Sequence, residues 1–191
     1  THYAIEDMGI IRCIPGMTII SPSDAGQALK AFYASWTLNK PVYIRFTGGL
    51  NCPVIYEQEF NYQIGKGIRL REGNQIQIIA TGSMVDRALK AAKILEEKGI
   101  SVDVVDMHTI KPLDTDILKK DVKLVVSVEE HSIIGGLGSA IAEALSTYSV
   151  HAPLLRLGIG DYFSQVGEYE YLLEQHGLSP EHIANTIENN L

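Results

Sequence analysis

The 191-residue chain has only two cysteines, Cys13 and Cys52, and no C-x-x-C pair. That excludes a disulfide framework and a cysteine-built zinc site, and leaves free thiols in a reducing compartment as the expectation. It has no lysine–arginine cluster, and its formal net charge is −7, which argues against nucleic acid and anionic membrane surfaces as partners. It has no apolar run of bilayer length and no secretory leader pattern, so the cytoplasm is the expected location. It also lacks an initiating methionine: Thr1 opens directly in motif-like sequence, as a fragment of a longer protein would. What is present is an ordinary globular composition. With 46% hydrophobic and 20% charged residues, the chain has enough apolar surface for one large domain, or for one domain plus part of another.

The organising stretch is residues 123–145. Residues 124–128 (Leu-Val-Val-Ser-Val) read as a strand buried on both faces of a parallel sheet. Glu129, Glu130 and His131 follow, where the chain is expected to leave the core. Gly135, Gly136 and Gly138 then form a tight turn, and Ala140, Ile141, Ala144 and Leu145 repeat at helical spacing. Gly136 and Gly138 supply the first two positions of G-x-G-x-x-G, but Ile141 occupies the third. Tight strand-to-helix packing is therefore the first reading of this turn, with a nucleotide-binding domain as a rival.

The rest of the chain alternates in the same way. Residues 5–14 read as a short helix ended by Pro15-Gly16, and residues 17–20 as a strand. Ser21 is the expected N-cap of a helix with Pro22 in its first turn and a core stripe of Ala25, Ala28, Leu29, Phe32, Tyr33 and Trp36. Residues 41–46 are the next strand. The stretch 47–66, with Gly48-Gly49 and Pro53, has little periodicity and marks a boundary. Beyond it come strands at 76–80, 102–107, 124–128 and 154–157. Helices are expected after Ser83-x-x-Asp86, at 115–120, at 169–175 and at 180–189, the last capped by Ser179. The expected fold is an α/β three-layer sandwich with a mostly parallel sheet over 68–191. Preceding it are a linker (51–67) and a truncated α/β remnant (1–50). Residues 68–191 are expected to fold alone.

Two sets of motifs carry a family resemblance. Thr1-His2-Tyr3-Ala4-Ile5-Glu6-Asp7, Arg12-x-Ile14-Pro15 and Ser21-Pro22-Ser23-Asp24 resemble the end of the pyrimidine-binding domain of the transketolase family. Ile78-Ile-Ala-Thr-Gly-Ser-Met84, Val105-Asp-Met-His-Thr-Ile-Lys-Pro-Leu-Asp114, Glu129-Glu-His131 and Gly135-Gly-Leu-Gly-Ser139 are similar to its C-terminal domain. The wording is nearest to the C-terminal subunit of split transketolases. Deoxyxylulose-phosphate synthase and the β-subunits of 2-oxo acid decarboxylases are the related alternatives. The resemblance implies transfer of a two-carbon ketol unit between sugars on thiamine diphosphate and Mg2+, by a homodimer or with a partner that supplies the pyrophosphate-binding domain. The family's activating glutamate, stacking aromatics and Gly-Asp-Gly metal motif have no counterpart in residues 1–191, so no cofactor or metal is expected on this chain alone. A non-catalytic assembly or regulatory domain is the rival from another class.

One matched residue bears on chemistry. His2 aligns with the histidine that faces the sugar donor's oxygen atoms in transketolases, and an imidazole titrating near neutrality can exchange protons there. Glu129, Glu130 and His131 lack the spacing of metal ligands and read as polar contacts at a subunit interface. Asp106 and His108 share a strand end with no nucleophile beside them. Arg45 is open between anion contact and salt-bridge partner. The family often carries an arginine three residues after Arg45 to hold a sugar phosphate. Here that position is Gly48, which cannot supply the charge and argues against a standard phosphosugar substrate.

Overall fold

The computed structural model describes residues 4–47 and 52–191. Its elements run α1 (Asp7–Arg12), β1 (Thr18–Ile20), α2 (Ala25–Trp36), β2 (Val42–Ile44), β3 (Ile68–Arg71), β4 (Ile76–Ala80), α3 (Met84–Glu97), β5 (Val102–Asp106), β6 (Thr109–Lys111), a 3-10 turn (Asp116–Lys119), β7 (Leu124–Ser132), α4 (Leu137–Leu145), β8 (Leu154–Ile159), α5 (Tyr169–Gln175) and α6 (Pro180–Glu188). The main sheet has the order β3-β5-β4-β7-β8, parallel throughout except that β3 runs antiparallel to β5.

The β-branched runs explain why this sheet is covered on both sides. Alternate residues of a strand face opposite ways. Ile76, Ile78, Ala80, Val126 and Val128 pack with Met84, Val85, Ala88 and Leu95 of α3 and Ile183 and Ile187 of α6. Ile79, Val105 and Val125 face the other layer, against Leu137, Ile141 and Leu145 of α4 and Met8 of α1. The result is the three-layer α/β sandwich that the alternating pattern predicts.

A second sheet has the order β2-β1-β6, with β1 parallel to β2 and antiparallel to β6. Strand β6 is only three residues long, too short for any periodicity to register. By sequence it follows β5, yet its partner is β1, so residues 109–111 complete the sheet begun by the first fifty residues. The two sheets are further tied where Ser21 N donates to His108 O (2.8 Å) and Gly82 N to Ser21 O (3.2 Å).

Three expectations are corrected. The N-cap of α2 is Asp24, not Ser21: its backbone is extended and its Oδ1 accepts from Gln27 N (2.7 Å). The α2 stripe is not core. Gln27 and Ala31 are its buried residues, whereas Phe32 is 51%, Tyr33 71% and Trp36 81% exposed, because among the described residues nothing packs over that face. Ser83 does not cap α3 with its side chain; its hydroxyl donates to Glu130 instead. The α6 cap does follow the sequence, with Ser179 accepting from His182 N and Pro180 at the first position.

Candidate functional site

In parallel sheets, ligands collect at the carboxyl ends of the strands, and here those ends gather the sequence-selected polar residues. His2 and Gly48 lie outside the described residues. Their nearest described neighbours, Ala4 and Thr47, are both held at this edge. The Thr47 hydroxyl accepts from Ser83 N (3.0 Å), just beyond β4. Gly82 makes that approach possible: its φ is +57°, and a Cβ there would lie 2.5 Å from Thr47 Oγ1 and 2.7 Å from Ser21 Oγ. Glu130, at the end of β7, accepts from Tyr169 OH (2.7 Å) and from the Ser83 hydroxyl. Beside it opens a cavity of about 520 Å³ lined by Ile5, Glu6, Phe163, Leu172 and His176, among others.

Arg45 is a salt-bridge partner. Its Nε donates to Asp7 Oδ2 (2.9 Å) and its Nη2 to Ala4 O (2.8 Å), and the two side chains are 8% and 10% exposed. Tyr43 OH donates to the same carboxylate (2.8 Å). A buried pair of this kind is tolerated when further hydrogen bonds share the load, as those to Ala4 O and from Tyr43 OH do here.

Glu129 and His131 do not leave the core, and neither sits at the surface where a subunit contact would form. Strand β7 continues to Ser132, and both side chains are fully buried. Glu129 turns back onto the start of α4, where its two oxygens accept from Leu137 N (2.7 Å) and Gly138 N (2.8 Å). The amide groups and helix dipole that would attract a nucleotide phosphate are thus already occupied by an internal carboxylate. Burial nonetheless pushes the Glu129 pKa up from 4.5 to about 7, opposed by those two hydrogen bonds. The folded state therefore binds this proton more tightly than the unfolded chain does. The stability that Glu129 confers is fully present below about pH 4.5 and is lost as pH rises through 7. Denaturant midpoints of wild type and Glu129→Gln, compared from pH 4.5 to 8, are expected to show a wild-type advantage that shrinks up to about pH 7 and is flat above it. A pH-independent gap would contradict this. His131 is held neutral, its pKa lowered chiefly by burial. Its Nδ1–H donates to Ser132 O (2.7 Å) and its Nε2 accepts from Gly9 N (3.3 Å).

Asp106 and His108 also serve architecture. Asp106 Oδ2 accepts from Tyr56 OH (2.7 Å), Gln27 Nε2 (2.8 Å) and Ser23 Oγ (2.9 Å), tying the linker and α2 to the end of β5. Burial raises its pKa to about 6, and burial lowers that of His108 to about 4. Tyr62 stacks on the His108 ring, with centroids 4.4 Å apart. None of Tyr56, Tyr62 or Gln27 was singled out by sequence. For the two tyrosines the signal was the aromatic content of an otherwise pattern-free linker; Gln27 carries none.

The fold matches a known architecture. The family model for the transketolase C-terminal domain fits residues 65–183. The chain belongs to this family. A protein of Methanocaldococcus jannaschii named as a transketolase C-terminal section is 43% identical over 189 residues, covering 98% of this chain and 60% of that protein. The 6-deoxy-6-sulfo-D-fructose transketolase subunit of a Clostridium species is 42% identical over 188 residues, covering 96% of this chain and 57% of the relative. A 1-deoxy-D-xylulose-5-phosphate synthase of Caldanaerobacter subterraneus is 38% identical over 190 residues, but only 30% of its length is covered. Among solved structures, a split-gene transketolase described as an inactive β4 tetramer superposes with a TM-score of 0.88 at 38% identity, over 98% of this chain and 61% of that one. The Campylobacter jejuni transketolase, at 22% identity and a TM-score of 0.74, shares the fold. The chain thus spans about 60% of the length of these two relatives.

Transketolases and deoxyxylulose-phosphate synthases depend on thiamine diphosphate. The described residues do not fit the diphosphate-and-metal half of that cofactor. No three His, Cys, Asp or Glu side chains among them converge as metal ligands, and the α4 N-terminus holds Glu129 instead of a phosphate.

Proposed function

We propose that this chain is the C-terminal section of a thiamine-diphosphate-dependent transketolase that moves two-carbon ketol units between sugars. It would act with a partner, an N-terminal subunit or pyrophosphate-binding domain, that holds the diphosphate and Mg2+. The observation that carries the reading is the 43% identity, over nearly the whole chain, to a relative named as a transketolase C-terminal section. In this reading His2 faces the donor sugar's oxygen atoms and exchanges protons with them. Gly48, in place of a phosphate-binding arginine, favours a sugar without a standard phosphate group. The domain boundaries at 50 and 68, and a cytoplasmic location, belong to the same proposal.

The decisive experiment combines this chain with its N-terminal partner and measures ketol transfer for wild type and His2→Ala. Turnover is expected to fall by about 10²–10⁴-fold, the usual contribution of a positioned acid–base group, with cofactor affinity nearly unchanged. Unaltered turnover would remove His2 from the mechanism.

We also propose that the chain self-associates as a homodimer. The exposed apolar face of α2, with Leu29, Phe32, Tyr33 and Trp36, favours burial against protein. Light scattering at micromolar concentration is expected to give twice the 21.0 kDa chain mass. A monomer would defeat the proposal.

A further inference from the structure

We propose that the end of β7, together with Arg45, is a positioning element for the segment that carries His2, so that the C-terminal domain acts on ketol transfer through the backbone of residues 4–9. This rests on the role assigned to His2 above.

The contacts fall on the backbone next to His2 and come from both sheets. Ala4 O accepts from Arg45 Nη2 (2.8 Å), at the end of β2. Ile5 O accepts from Ser132 N (2.7 Å), at the end of β7. Four residues on, Gly9 N donates to His131 Nε2 (3.3 Å), whose other ring nitrogen is committed to Ser132 O. Asp7, between them, is pinned by Arg45 Nε and Tyr43 OH. Close packing completes the grip: a Cβ on Gly135 would lie 2.8 Å from Gly9 Cα. Arg12 Nε donates to Gly135 O (2.8 Å).

Two successive carbonyls are therefore gripped by donors from different sheets, two and three residues beyond His2. If packing alone were needed, apolar side chains of similar volume would do it without the desolvation cost of a buried arginine, aspartate and histidine. What these groups add is direction: fixed hydrogen bonds set the course of the backbone at Ala4 and Ile5. Reaction geometry is sensitive to such placement, and a misplacement of about 1 Å costs roughly 10²-fold in rate.

The test uses Arg45→Met, Arg45→Lys, His131→Phe and His131→Gln. Amide hydrogen exchange is followed in each chain, and kcat, KM and thiamine diphosphate affinity are measured in the assembly with the N-terminal partner. His131→Phe and Arg45→Met are expected to speed exchange at Ile5–Gly9 while residues 76–80 and 124–128 keep their protection. They are expected to lower kcat by about 10–100-fold, with cofactor affinity held within about two-fold. His131→Gln keeps an oxygen that can accept from Gly9 N and is expected to recover part of kcat; Arg45→Lys keeps one donor for Ala4 O and serves as the milder variant. Faster local exchange with unchanged kcat overturns the proposal. So does loss of protection spread through the central strands, or no recovery in either conservative variant. A wild-type assembly without ketol transfer overturns the transketolase reading and this inference with it, a result seen before any variant is compared.

Discussion

The purified 191-residue chain is expected neither to bind thiamine diphosphate with magnesium nor to transfer ketol units, and the N-terminal partner is expected to restore both. Calorimetry and a coupled transfer assay check this result, which follows from how the acids of the chain are employed. A diphosphate needs convergent donors, and its metal needs an oxygen cage. Asp7 is paired with Arg45, and Glu129 is spent on the start of α4. Asp106 collects Ser23, Gln27 and Tyr56, while Asp103 is paired with Arg69 and Lys120. Asp7 and Asp103 already have cationic partners, and taking the carboxylate out of a buried pair such as Asp7–Arg45 would leave an uncompensated charge, at a cost of about 3–5 kcal/mol. The difference between chain and assembly is expected to be one of presence against absence of activity. Saturable micromolar binding of thiamine diphosphate by the bare chain would show that the cofactor site is built from these residues after all.

Gly136→Ala is expected to be strongly destabilising. A Cβ at this position would stand 2.0 Å from Glu129 Oε2 and 2.6 Å from His131 Nδ1. The carboxylate would be driven off the two amides it caps, leaving a buried acid and two helix N–H groups unsatisfied. Breaking such an arrangement costs about 3–5 kcal/mol, or a fall in Tm of about 6–20 °C in a protein of this size. Gly99→Ala is the control: its φ is +77° and nothing lies within 4 Å of the added atom, so only backbone strain of roughly 1–2 kcal/mol is expected. Equal losses in the two variants would show that Glu129 yields easily. Because Glu129 fills the anion position, titration with NAD, FAD or ATP is expected to show no saturable micromolar binding. Such binding would revive the nucleotide reading of the glycine turn.

How much of this was legible depended on whether a signal is local. The strands 76–80 and 124–128, the α3 stripe and the Ser179 cap all write their environment into adjacent residues. The packing role of the glycine turn was legible too, because the G-x-G-x-x-G pattern fails at Ile141. The α2 stripe was misread for a physical reason. Helical periodicity reports that a face is apolar, not what covers it, so Phe32, Tyr33 and Trp36 scored as core while standing exposed. Glu129 and His131 were misplaced because charged residues after an apolar run ordinarily mark the exit from a sheet. Only the fold reveals that the α4 amides and Gly9 wait for them. Asp24 was passed over for Ser21, an equally good capping residue three positions earlier. Strands β3 and β6 carry too few residues to show a period. The Asp106 cluster joins three segments through side chains no motif connects.

The grip of β7 on the first residues also has a consequence in time. Gly9 and His131 are 122 positions apart in the chain. At the ordinary pace of translation, about 5–20 residues per second, α1 emerges roughly 6–25 s before the histidine that receives it has been made. Throughout that interval Met8, fully buried in the finished protein, lacks Leu137 and Ile141 of α4, which share its core cluster. Residues 5–9 can therefore take up their final hydrogen bonds only after β7 has been made, long after they themselves emerge.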